Sequence, residues 1–139
     1  MKIGKWACVP VALAATMISA PGRTHHSFAM FDQTQVVTLK GQVAQFQWTN
    51  PHAFIELDVP DGKGGSDRWS IELNSPNNLT RQGWRRSSLM PGQTVSVTFN
   101  PLRNGKKGGL FNKVILPDGK VLGDMSNASG RPINVPSAD

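Results

Sequence analysis

The chain has 139 residues, 38% of them hydrophobic and 17% charged, with a formal net charge of +6. That length holds one domain with one core, and a single cysteine excludes a disulfide scaffold. Only one long apolar run is present, at the N-terminus, which excludes a polytopic membrane protein and predicts a soluble mature domain.

That run is read as a leader. Lys2 and Lys5 form a positive n-region, Trp6 to Ala20 is apolar and rich in Ala and Val, and small residues follow at Ser19, Ala20 and Gly22. These are the parts of a secretory signal peptide over residues 1–22, and periplasmic or secreted localisation is expected. A transmembrane anchor fits less well, because the run is short for a span and is broken by Pro10. Ala20-Pro21-Gly22 matches a small-x-small site and would leave Arg23 as the new N-terminus, whereas a cut after Ala20 would put Pro21 first, which signal peptidase disfavours. Cys8 falls inside the leader with no Leu three residues before it, so neither a lipoprotein site nor thiol chemistry is expected. Loss of Lys2 and Lys5 leaves a charge of +4. The remaining basic residues, Arg81, Arg85 and Arg86 in one segment and Arg103, Lys106 and Lys107 in another, read as a solvated surface, and export argues against a nucleic-acid partner.

Residues 23–35 form an N-terminal arm, whose Phe28 and Phe31 are expected to pack on the domain. A first long strand covers 36–48. Val37, Leu39 and Val43 share one parity and Phe46 and Trp48 the other, which implies a bulge or bend, placed at Gly41. Thr49-Asn50-Pro51 is a tight polar corner into the second strand, 52–59. There Ala53, Ile55, Leu57 and Val59 face inward and His52, Phe54, Glu56 and Asp58 outward. Pro60 to Ser66 is a flexible turn to a third strand, 67–74, with Trp69, Ile71 and Leu73 inward. Ser75 as N-cap, Pro76 at the first helical position, Leu79 as anchor and Gly83 as stop predict a short helix. Strand four is expected at 93–100, a basic Gly-rich loop at 101–109, strand five at 110–116, the Asp118-Gly119 turn and a short strand at 120–122. The tail, 123–139, has no periodicity and is expected to be flexible.

The predicted class is all-β with one short helix, in a domain spanning 36–122. Strands one to three, a helix, then strands four and five are the order of a small five- to six-stranded Greek-key barrel of the OB type, and an open β-sandwich is the alternative.

The chain has three histidines, His25, His26 and His52. Each has an ordinary reading as a hydrogen-bonded surface side chain. The metal reading rests on the first two lying near the mature N-terminus and on His52 sharing a strand face with Glu56 and Asp58. A chain starting Arg23-Thr24-His25 would present an amine, two backbone amides and an imidazole, a square-planar set suited to Cu(II) or Ni(II). Without cysteine any site is N/O in character. Asn50 and Pro51 are accounted for by turn chemistry, which leaves His52 unexplained. Trp48, Phe54 and Trp84 are candidates for a ligand-stacking face, weighed against a plain core role. No serine sits in a nucleophile-elbow frame and Gly62-Lys63-Gly64-Gly65 lacks a phosphate-loop frame, so no enzyme is expected.

The string His25-His26-Ser27-Phe28, Met30-Phe31-Asp32, Gly41-x-Val43, Phe46-x-Trp48-Thr49-Asn50-Pro51-His52, Trp69-x-Ile71-Glu72, Ser75-Pro76, Leu79-x-Arg81-x-Gly83-Trp84, Pro91-Gly92 and Asp118-Gly119 resembles a family of small exported bacterial proteins classed as a domain of unknown function. The resemblance implies export and a small β-barrel-like domain, with no established activity, substrate or cofactor. Here Pro21-Gly22-Arg23-Thr24 stand between leader and histidine pair, where the family often has the pair directly after the leader. Two functions are thus expected. One is an exported domain binding copper or nickel through His25, His26 and His52. The other is a metal-free module that binds an unknown periplasmic protein or small ligand on an aromatic barrel face.

Overall fold

The computed structural model describes residues 28–124. It contains a single 3-10 turn, Phe28–Met30, followed by β1 (Val37–Gln47), β2 (Phe54–Pro60), β3 (Ser66–Glu72), α1 (Pro76–Arg81), β4 (Thr94–Pro101), β5 (Gly108–Ile115) and β6 (Val121–Gly123).

The long β1 is the spine. Its first part pairs with β4, from Val37↔Phe99 to Gln42↔Thr94, and its second with β2, from Gln42↔Asp58 to Gln47↔Phe54. β2 pairs with β3 and β4 with β5, all antiparallel. A short parallel pairing, Ser70↔Gly108 to Glu72↔Leu110, joins β3 to β5. The circuit β1-β2-β3-β5-β4 therefore closes on itself, with the helix inserted between β3 and β4, and β6 lies outside it on β5. This is the OB-type barrel, and its closure excludes the open sandwich.

The alternation seen in the sequence sorts the side chains. Ile55 and Leu57 on β2, Ile71 on β3, Val95, Val97 and Phe99 on β4, and Phe111 and Val114 on β5 are buried together with Leu73 and Leu79. α1 closes one end. The Ser75 side chain accepts from the Asn78 N–H at 3.3 Å, which caps the helix start. Beyond the helix, Gly83 takes φ +88°, the left-handed conformation that ends it.

Three local expectations differ from the structure. The phase change in β1 comes from a register shift between Val43 and Gln45, not at Gly41. Gly41 answers a different need, since a Cβ there would lie 2.5 Å from the Asp58 carbonyl oxygen. The C-terminal tail does not begin at Gly123. Gly123 pairs with Lys113 and its carbonyl accepts the Trp84 indole N–H at 2.9 Å. Asp124 is fully buried and its carboxylate accepts from the Asn74 N–H at 3.2 Å and Gln82 Nε2 at 3.3 Å. In the arm, Phe31 is buried but Phe28 is 55% exposed, so only one of the two rings packs on the barrel.

Candidate functional site

Because Ala53, Ile55 and Leu57 turn into the barrel, the intervening side chains of β2 turn out. Register sets their neighbours on β3: Asp58 opposite Arg68, Glu56 opposite Ser70, Phe54 opposite Glu72. The Arg68 guanidinium donates to both Asp58 oxygens, at 2.5 and 3.0 Å, and this bond holds the Asp58 carboxyl below its ordinary range. Glu56 accepts from the Ser70 hydroxyl at 2.8 Å and from Gln47 Nε2 at 3.3 Å. Three carboxylates thus run along one outer face, with Glu72 at the end nearest the corner 48–53.

That corner delivers His52. The chain turns through a cis Asn50–Pro51 peptide and enters the sheet at Ala53, whose N–H donates to the Asn74 carbonyl. His52 Nδ1 lies 3.1 Å from the Leu73 carbonyl oxygen and 3.5 Å from Glu72 Oε1. A carbonyl can only accept, so Nδ1 carries the hydrogen of this bond. The expected strand-face partners Glu56 and Asp58 are not beside the imidazole in this network; Glu72 of the neighbouring strand is. Among the described residues, no group of three or more His, Cys, Asp or Glu is placed to hold a metal ion.

Beside Glu72 the face sinks into a groove of about 280 Å³, lined by Phe54, Ser70 and Glu72 on one side and by Met30, Phe31 and Lys106 among others opposite. Backbone and side-chain bonds fix the far wall. The Asp32 N–H donates to the Pro101 carbonyl at 2.8 Å, and the Arg103 N–H to the Met30 carbonyl at 2.9 Å. The Thr34 hydroxyl and N–H both donate to Asp32, at 2.6 and 3.1 Å, and hold its carboxyl below the ordinary range. A roomier hollow of about 620 Å³ lies outside the β1 bend, between Lys40, Asp58, Pro60 and Thr94, and holds neither a histidine nor an aromatic ring.

The other candidates are dispersed. His25 and His26 lie outside the described residues. Trp84 is 1% exposed, stacked edge-on against Phe111 at 5.5 Å with its N–H bound to Gly123, so it offers no face to a ligand. Trp48 is half-buried and packs edge-on against Phe46 at 5.5 Å, away from the groove that Phe54 lines. The aromatic face expected from Trp48, Phe54 and Trp84 is therefore not one surface. Glu72, Phe31 and Lys106 were missed as site residues. Glu72 was legible as outward-facing, but its meeting with His52 needs the β2–β3 register.

Residues 12–112 match a family of unknown function, DUF6152. The chain belongs to this family. No curated protein matches the DUF6152 chain. Among solved structures it is similar to a crystal structure of the mitochondrial single-stranded DNA binding protein Rim1 from S. cerevisiae. The two share 9% identity at a TM-score of 0.45, over 65% of this chain and 95% of that one. The barrel assignment stands on strand order and closure. Among the described residues of the DUF6152 chain, no helix is long and apolar enough to cross a membrane.

Proposed function

We propose that the protein is an exported, non-catalytic binding domain that takes a divalent transition metal, copper or nickel, with His52 as the barrel's ligand and His25 and His26 supplying the rest. The observation that carries this reading is the setting of His52. Its Nδ1 is engaged by a backbone carbonyl with a carboxylate alongside, the arrangement that orients and enriches a ligating imidazole. The arm supports it. Met30 and Phe31 line the groove's far wall, and His26 and His25 precede Met30 by four and five residues, a span of at most about 17 Å when fully extended. N/O ligands of this kind suit Cu(II) or Ni(II).

The test is a Cu(II) titration of the mature chain, produced with its own leader and checked by intact mass. One tight equivalent is expected, lost in His25→Ala/His26→Ala. Glu72→Gln should weaken binding about 10–100-fold, the usual cost of removing a partner of a ligating histidine. Uptake unchanged by all of these substitutions would overturn the reading.

A second reading is favoured by the groove. Its apolar walls, Phe31, Phe54 and Met30, and its polar rim, Glu72 and Lys106, suit a small ligand at the lower end of pocket sizes. This module would bind without metal, survive the double histidine change and fail on Phe54→Ala. Trp48→Ala should leave it intact, because that ring stands elsewhere.

A further inference from the structure

Residues 73–117 contain no Asp or Glu, although Arg81, Arg85 and Arg86 follow one another closely within them. The carboxylates of the sheet outside this stretch belong to β2, β3 and the turn between them, with Asp118 in the β5–β6 turn. The nearest acid to the helix end, Asp124, is fully buried and already accepts two hydrogen bonds. Arg68 and Arg103 have acidic partners, Asp58 and Asp32. Arg81, Arg85 and Arg86 are exposed and form no ion pair with any described residue.

Arg81 ends α1, and the loop after it, which carries Arg85 and Arg86, is held in place. The Arg85 N–H donates to Ser88 Oγ at 2.8 Å, and the Ser88 N–H returns a bond to the Arg85 carbonyl at 2.9 Å. Leu89 is anchored in the core at 1% exposure, and the Met90 N–H donates to Gln93 Oε1 at 2.9 Å. Arg86 reaches the Trp48 carbonyl at 3.4 Å, tying the loop to the 48–53 corner. Met90, next to the anchor, is 51% exposed.

We infer that the end of α1 and the loop after it, residues 81–90, form a docking surface for an anionic phospholipid membrane. Guanidinium groups recognise phosphate oxygens in planar pairs, and together with an exposed apolar side chain in the same loop they are the combination that interfacial surfaces use. A single-stranded nucleic acid fits less well. Its binding draws on open aromatic faces, and the ring at this end, Trp48, is half-buried against the core and Phe46.

The experiment is co-sedimentation of the mature chain with vesicles of equimolar phosphatidylglycerol and phosphatidylcholine, against vesicles of phosphatidylcholine alone. Each basic residue at an anionic surface contributes roughly a five-fold preference, so three predict a preference on the order of a hundredfold, weakened by salt. Arg81→Gln/Arg85→Gln/Arg86→Gln should abolish it, while Lys106→Gln/Lys107→Gln, on another loop, should keep most of it. Met90→Ser should weaken binding at constant charge. Equal loss in both charge variants would reduce the effect to net charge and overturn the assignment. So would tighter binding to a single-stranded oligonucleotide than to the anionic vesicles, or no preference between vesicles.

Discussion

His52 shows how one position joins backbone and chemistry. Its carbonyl accepts from Thr49 Oγ1 at 3.3 Å, closing the corner, while its ring is aimed by Leu73 and Glu72. A purely structural histidine would need the same backbone bond, so Glu72→Gln separates the roles. The metal reading predicts weaker Cu(II) binding with little change in stability, because this partly exposed pair contributes little to folding. Gly41 shows the opposite case, a residue wanted for its missing side chain. In Gly41→Ala the new methyl meets the Asp58 carbonyl and the Leu57 side chain. The overlap should cost about 1–3 kcal/mol, which outweighs the roughly 0.4–1 kcal/mol that stiffening the unfolded chain returns. A lower denaturant midpoint at constant slope is the expected result, and an unchanged midpoint would contradict the close approach.

At the scale of elements, the strands were legible because burial alternates along them. Every second residue from Ala53, at the entry to β2, to Leu57 is buried, and α1 carries its N-cap, first-turn Pro and terminal Gly in order. What stayed hidden depends on contacts distant in sequence. Gly123 and Asp124 look like tail residues until Trp84, Asn74 and Gln82 are brought to them. Likewise parity put Phe54 and Glu72 outward, but only register places them side by side, and only the Phe31–Leu102 bridge sets the arm against them. That arm and the β2–β3 turn are expected to respond to acid. Hydrogen bonds from Thr34 lower the Asp32 carboxyl, and bonds from the Lys63 and Gly65 N–H groups lower Asp61. A lowered folded pKa stabilises above the ordinary value of 3.8 and is lost as pH falls through the folded value. Amide protection, taken relative to the intrinsic rate at each pH, should therefore hold at Thr34, Lys63 and Gly65 down to near pH 4 and fall below it. A fall already above about pH 5 would contradict this source of the acid response.

At the scale of the whole molecule, two features divide the surface. The outer face of β2 and β3 carries carboxylates and His52, and the α1 end carries arginines. Barrel closure holds the two at fixed positions through the short β3–β5 pairing. There Gly109 has no room for a side chain, since a Cβ would overlap the Phe99 ring and the Asn100 carbonyl. The carboxylates of the first favour a cation and the arginines of the second an anion, as the two proposals require. The most direct measurement is the stoichiometry and affinity of Cu(II) for the mature chain, compared with His25→Ala/His26→Ala and His52→Ala. One tight equivalent that both variants lose or weaken is the predicted result. Weak, non-stoichiometric uptake that neither variant changes would contradict the metal site and leave the Phe54 groove as the place to look for a ligand.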